Sequence, residues 1–250
     1  MKTVVIIQAR MGSSRLPGKV LMPLGGKPSV QHVIERARLI RGVDEVVLAT
    51  SVASIDDPLA AFCKTFGVTV VRGSEDDVLD RYYQAAKAAR ADAVIRITGD
   101  CPLLDPVESA KVLDAFRSSG ADYVSNVNPP TLPDGLDTEV FLFSALETAW
   151  KQAGKKSERE HVTLYISTHP ELFRIESISN PVDWSGHRWT LDEERDYRML
   201  SAVYDELSLR GEFGALAEVL CILRDYPEIA RLNGSIERNE GLKKSQQEDE

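Results

Sequence analysis

Arg10, Arg15 and Lys19 fall close together in Gln8-Ala9-Arg10-Met11-Gly12-Ser13-Ser14-Arg15-Leu16-Pro17-Gly18-Lys19, a stretch that also holds two glycines and two serines. Three cations offer charge to phosphate oxygens, and the glycines let the backbone turn sharply and approach a ligand. That is the chemistry of a polyphosphate cradle. Lys19 closes the loop, and its glycine-rich setting predicts a solvent-facing side chain that serves a ligand rather than the fold. Two well-known phosphate loops do not fit. A Walker loop has four residues between its glycines and a Ser or Thr after its Lys, whereas five separate Gly12 from Gly18 here and Val20 follows Lys19. The dinucleotide fingerprint needs three closely spaced glycines, so a hydride-transfer reading loses its main support.

Such a loop needs a rigid element behind it, and residues 4–7, Val-Val-Ile-Ile, form the β-branched run of a buried central strand. Pro28 opens a helical pattern with Val30, Val33, Ile34 and Ala37 on one face, ending near Gly42. Strands are expected at 46–50 and 68–71 with a helix at 58–66 between them, a βαβαβ rhythm that implies a parallel sheet. The segment 72–81 carries Ser74 as a helix cap and acids in the first turn. A further strand, 93–98, runs into Gly99-Asp100-Cys101-Pro102-Leu103. Ligands of open α/β sheets sit beyond the carboxyl ends of the strands, so Asp100 reaches the same rim as the Arg10 loop. Mg²⁺ takes one or two carboxylates together with substrate phosphate and water, which makes Asp100 a candidate ligand. Asp105 is expected to cap the following helix. Cys101 lacks the cationic or histidine-assisted setting of a reactive thiol and is set aside as a nucleophile.

The run from Ala9 to Lys19 resembles, nearly residue for residue, the Ala-Arg-x-Gly-Ser-x-Arg-Leu-Pro-Gly-Lys opening of the cytidylyltransferases that activate acidic sugars, with Ser14 at the variable position. The branch it looks most like is the spore-coat polysaccharide synthesis F family, relatives of the synthetases that make CMP-sialic acid and CMP-Kdo. Gly-Asp-x-Pro-Leu at 99–103 looks like the metal-binding turn of those enzymes, and residues 133–140, Pro-Asp-Gly-Leu-Asp-Thr-Glu-Val, look like the branch itself. The resemblance implies an α/β fold, a Rossmann-like and mostly parallel sheet of the nucleotide-diphospho-sugar transferase (GT-A-like) type with a small α+β insertion. It implies that Arg10, Arg15 and Lys19 bind the triphosphate of CTP, that Gln8, Ala9, Gly12 and Ser13 lie against the nucleotide, and that Arg72, Gly73 and Thr98 border it. Asp192, whose position alone reads as a helix cap, matches a second metal-binding acid beside Asp100. Asp134 and Glu139, with Arg159 and His161 behind them, are candidate sugar contacts, and a homodimer is implied.

The reaction so implied is attack of an acidic sugar on the α-phosphorus of CTP, giving a CMP-sugar and pyrophosphate for surface polysaccharide or glycan synthesis. Positioning and charge neutralisation dominate such transfers, and no side chain stands out as general base. Two other readings stay open. A nucleotide-sugar-dependent glycosyltransferase shares the architecture but commonly holds its metal with Asp-x-Asp, which the chain lacks. A catalytically silent nucleotide-binding module that regulates polysaccharide assembly is the other.

The chain has 250 residues, 43% of them hydrophobic, enough for one large domain. We expect a single domain over 1–240, with about 125–180 as an insertion that shapes the sugar pocket and the dimer contact. Within or beside it, strands are expected at 136–143 and 172–178 and helices at 145–152 and 157–167. Residues 188–192 return to strand chemistry ahead of a helix that starts in acids, and the charged 241–250 is expected to be disordered. The net charge is −9, yet residues 1–41 carry eight Lys or Arg against the single acid Glu35. An acidic protein with its cations near one loop fits a small anionic substrate and argues against nucleic acid or an anionic membrane as partner. Cys63, Cys101 and Cys221 show no metal or redox spacing, and the apolar run after Lys2 is short for a signal sequence, which together predict a reduced, cytoplasmic protein.

Overall fold

The computed structural model describes residues 1–236 together with Arg238, Leu242, Ser245, Gln247 and Asp249. The apolar runs lie side by side as expected: β1 (Thr3–Gln8) sits between β4 (Glu45–Ser51) and β6 (Ala93–Thr98), and β5 (Thr69–Gly73) flanks β4, all parallel. Between them run the short hairpin β2 (Pro23–Leu24) and β3 (Lys27–Pro28) and the helices α1 (Ser29–Arg38), α2 (Asp57–Thr65) and α3 (Val78–Ala89). Val4 to Ile7 are fully buried because helices cover both faces, which is why this strand reads as a continuous apolar run rather than an alternation.

Beyond β6 the rhythm changes. After α4 (Pro106–Ser119) come β7 (Tyr123–Ser125), β8 (Glu139–Leu142), the helices α5 (Phe143–Gln152), α6 (Lys156–Glu160) and α7 (Leu164–Thr168), and β9 (Ile175–Ser177). The sheet order is β5-β4-β1-β6-β8-β7-β9, with β8 antiparallel to both neighbours. The stretch 125–180 therefore extends the main sheet instead of forming a body of its own. The helix expected over 157–167 is two short helices, because the chain breaks at 161–163 to turn the Thr163 hydroxyl onto Glu139 at 2.6 Å.

The last three helices of the element order are α8 (Glu194–Arg210), α9 (Leu216–Asp225) and α10 (Pro227–Arg231), packed over Leu103, Leu136, Trp189 and Leu191. Two expectations fail here. Residues 188–192 are not a strand: Trp189 N–H bonds the Asp134 carbonyl at 2.6 Å and Leu191 N–H bonds the Asp100 carbonyl at 2.8 Å, so the segment is an irregular clasp between two loops. Asp192 is not the cap of α8 either; Glu193 holds that position, and Asp196 accepts the backbone N–H groups of Asp192 and Glu193. The disorder expected at 241–250 falls mainly outside the described residues, although Ser245 bonds Glu160 and Asp249 bonds the Ser157 N–H. No described helix is long and apolar enough to cross a membrane, and all three cysteines are free.

Candidate active site

The loop 9–19 leaves the carboxyl end of β1 and is held at its base. Gly99 N–H bonds the Gln8 carbonyl at 2.7 Å, and a Cβ on Gly99 would lie 2.6 Å from that of Ala9, so only glycine lets β1 and β6 end this close together. Asp56, buried after β4, accepts the Met11 N–H at 2.6 Å along with groups of Thr50 and Ser51. Gly18 takes a left-handed φ of 74°, which returns the chain so that its N–H meets the Met11 carbonyl at 2.9 Å. Ser13 caps the turn by accepting the Leu16 N–H.

This return carries Lys19 inward, contrary to the solvent-facing position expected. Its Nζ lies 2.8 Å from Asp100 Oδ2 and 2.7 Å from Asp192 Oδ1, with only 10% of the side chain exposed. Burial opposes the charge, but the two carboxylates outweigh it and raise the Lys19 pKa. Burial likewise opposes ionisation of Asp100, and the Lys19 ammonium with the Thr98 hydroxyl overcomes it, holding that carboxyl at about 2. Asp192 Oδ2 is gripped in turn by Arg188 at 2.9 Å and Arg15 at 3.2 Å. Arg188 is the hub that sequence reading missed. It is 7% exposed and binds Asp134, Asp192 and the fully buried Asp196, which Asn233 also bonds at 2.8 Å. Its only signal in the sequence is the four-residue spacing to Asp192.

Other expected contacts are distributed differently. Arg10 stands at the mouth of the loop, 3.5 Å from Glu75, and Gly12 lies beneath that same carboxylate. Gln8 ends β1 with Oε1 buried and without a partner among the described residues. Thr98 pairs with Gln8 across the sheet. Arg72, expected to border the nucleotide, binds the Ser51 and Ala53 carbonyls and Asp57, and Gly73 pairs with Ser51 at the end of β5. Ser74 is not the cap of α3; Asp77 is, accepting the Asp80 N–H at 2.9 Å.

Among the candidate sugar contacts, Glu139 is interior. Its Oε1 accepts the Tyr123 and Thr163 hydroxyls, each at 2.6 Å, and its Oε2 pairs with Arg96. Arg159 clamps Asp77 and the Trp150 carbonyl, which joins α6 to the start of α3. His161 is half-buried against Ser245 at 3.1 Å, and burial lowers its pKa. Asp134 faces Arg188 at 2.9 Å, with burial pushing its carboxyl up. Asp137, which sequence reading did not single out, lies just ahead of β8 and pairs with Arg238. Burial beside Asp134 and Glu139 pushes Asp137 up to about 7 despite that arginine. Burial and Asp100 together raise the Cys101 thiol well above its usual range, which agrees with its rejection as a nucleophile.

Two depressions of about 300 and 240 Å³ lie at the opposite end of the sheet, around Lys2 and Arg90 and around Arg38 and Gly67. Neither gathers acids from separate elements as the rim does. A loop rich in cations, set against two carboxylates that share one of them, fits a nucleotidyltransferase class of site.

The comparisons agree with that class. The sequence profile described as cytidylyltransferase matches residues 4–210, and the chain belongs to this family as a CTP-dependent nucleotidyltransferase. It falls in the SpsF-like branch: the spore coat polysaccharide biosynthesis protein SpsF of Bacillus subtilis is 37% identical over 90% of this chain and 95% of its own. An 8-amino-3,8-dideoxy-manno-octulosonate cytidylyltransferase of Shewanella frigidimarina is 38% identical over 49% of this chain and 51% of its own. The structure of a cytidylyltransferase from Leptospira borgpetersenii superposes with a TM-score of 0.87 at 32% identity, over 95% of this chain and all of that one. The expected Rossmann-like fold thus stands, and the glycosyltransferase reading is set aside.

Proposed function

We propose that this protein transfers CMP from CTP to a hydroxyl of an acidic sugar, releasing pyrophosphate, in surface polysaccharide or glycan synthesis. The observation that carries the reading is the convergence of Asp100 and Asp192 on one cation at the mouth of the Ala9–Lys19 loop. Oxygen-only donors from two carboxylates fit Mg²⁺, which takes few protein ligands and keeps substrate oxygens and water. Asp100 and Asp192 would hold it, and Mg²⁺ there would neutralise charge on the triphosphate.

The remaining work falls to the chain itself. Arg10, Arg15 and Lys19 bind phosphate oxygens, Gln8 to Ser13 line the nucleotide, and Arg188 fixes Asp192 through a second carboxylate oxygen. The acceptor oxygen bonds to the α-phosphorus, the bond to the β-phosphate oxygen breaks, and the hydroxyl proton passes to solvent. The acceptor lies toward β8 and the 133–137 turn, beside Asp134 and Asp137. The named activity of the Shewanella relative supports an ulosonic-acid type of acceptor, and that of SpsF supports polysaccharide synthesis. A cytoplasmic homodimer belongs to the same reading.

Pyrophosphate release tests it, with each nucleoside triphosphate set against a panel of acidic sugars that includes 3-deoxy-octulosonates and sialic acids. The expected result is release with CTP, Mg²⁺ and an acidic sugar only. Equal release with UTP or with neutral hexoses would overturn the assignment.

A further inference from the structure

Lys19 Nζ sits where the two acids of the rim converge, bonded to Asp100 Oδ2 and Asp192 Oδ1 at once. Its backbone is fixed by the Leu16 carbonyl, its own carbonyl accepts the Met22 N–H, and its stem is buried, so the ammonium alone can swing. The other oxygen of Asp192 already faces Arg188 and Arg15. A free divalent cation approaching Asp100 and Asp192 therefore meets three positive groups around two carboxylates. Inserting it leaves Lys19 without an anion, at a cost typical of a buried charge stripped of its partner. A triphosphate changes this balance, because it brings oxygens for the Lys19 ammonium together with the metal.

We infer that Lys19 is a resident counter-ion that keeps the Asp100 and Asp192 pair closed to free divalent cations and yields it only to a cation accompanied by a nucleoside triphosphate. This rests on the reading of Asp100 and Asp192 as the metal acids. It makes metal and nucleotide binding cooperative through one side chain, with coupling of about tenfold or more.

The test is Mn²⁺ uptake, followed by the electron paramagnetic resonance signal of the free ion, on the full chain with and without CTP and without acceptor. Wild type is expected to take up Mn²⁺ tightly only with CTP. Lys19→Met, which keeps the stem and removes the charge, is expected to bind Mn²⁺ without CTP at least about tenfold more tightly than wild type, and to lose that site on adding Asp192→Asn. Its unfolding midpoint without ligands should fall and recover with Mn²⁺ alone, a recovery wild type does not show. Lys19→Gln, which keeps N–H donors for both acids, carries the same expectation should the Met variant fail to fold. Equal Mn²⁺ affinity of wild type and Lys19→Met without CTP would overturn the counter-ion role while leaving the metal acids in place. Uptake independent of Asp192 in every protein, even with CTP, would overturn the metal reading itself.

Discussion

Two charged clusters share the carboxyl half of the sheet and are built to opposite ends. In the interior cluster, Glu139 is 6% exposed, and both its oxygens are engaged by Arg96, Tyr123 and Thr163, so α7, β6, β7 and β8 are joined through one carboxylate. In the rim cluster, Asp100 and Asp192 keep 24% and 19% of their side chains open and share a single cation, the ammonium at the end of the Lys19 stem. Sealed, polyvalent pairing fixes a fold, whereas a pair neutralised by one movable cation can exchange that cation for a ligand. Both clusters draw on residues that the family resemblance marks as sugar or metal contacts. Burial and partner count, not residue type, separate them.

The comparison breaks if the interior cluster proves dispensable to the fold. Glu139→Ala strands the Arg96 guanidinium and two hydroxyls, and we expect a loss of about 3–5 kcal/mol in urea unfolding. A loss under about 1 kcal/mol, with sugar affinity reduced instead, would return Glu139 to the substrate side. A smaller effect sharpens the boundary at α3. Asp77→Ala removes its cap and the clamp to Arg159, for about 1–2 kcal/mol, while Ser74→Ala should stay within about 0.5 kcal/mol. Equal effects at the two positions would contradict the capping seen here.

The smallest effect is a pH slope. Because Asp137 is held at about 7 in the fold and ionises near 4 when unfolded, the native state binds the extra proton between those values. Stability contributed by this group is therefore complete below about pH 4 and declines as pH rises toward 7. Asp137→Asn should flatten that part of the profile, measured as unfolding midpoint against pH. An unchanged slope would place its ionisation elsewhere.

Legibility in the sequence followed how local each feature is. The strands β1, β4 and β6 are visible because burial on both faces writes continuous apolar runs, and the Asp105 cap because its partners, the Val107 and Glu108 N–H groups, are neighbours in the chain. The Ala9–Lys19 loop is legible as chemistry but not as geometry. Lys19 turns inward because its partners stand 81 and 173 residues away, a separation no local pattern reports. The same reason hides Arg188, whose role depends on the turn at Asp134 and on Asp196 beneath it. Residues 188–192 look like a strand by composition, yet the carbonyls of Asp134 and Asp100 satisfy their N–H groups one at a time, so no ladder forms.

Turnover of Asp192→Asn tests the division between the clusters most directly. Asn keeps an acceptor for Lys19 or Arg188 but removes the negative charge that would hold a hard dication against the triphosphate. With CTP, an accepted sugar and saturating Mg²⁺, pyrophosphate release should fall by about 10²- to 10³-fold in kcat, roughly 3–4 kcal/mol. The unfolding midpoint without ligands should move less than in Glu139→Ala. Asp100→Asn should behave alike, and the double variant should cost less than the sum if both acids serve one ion. Near-normal kcat in Asp192→Asn, with a large loss of stability, would contradict the account by making the rim cluster a structural network like the one around Glu139.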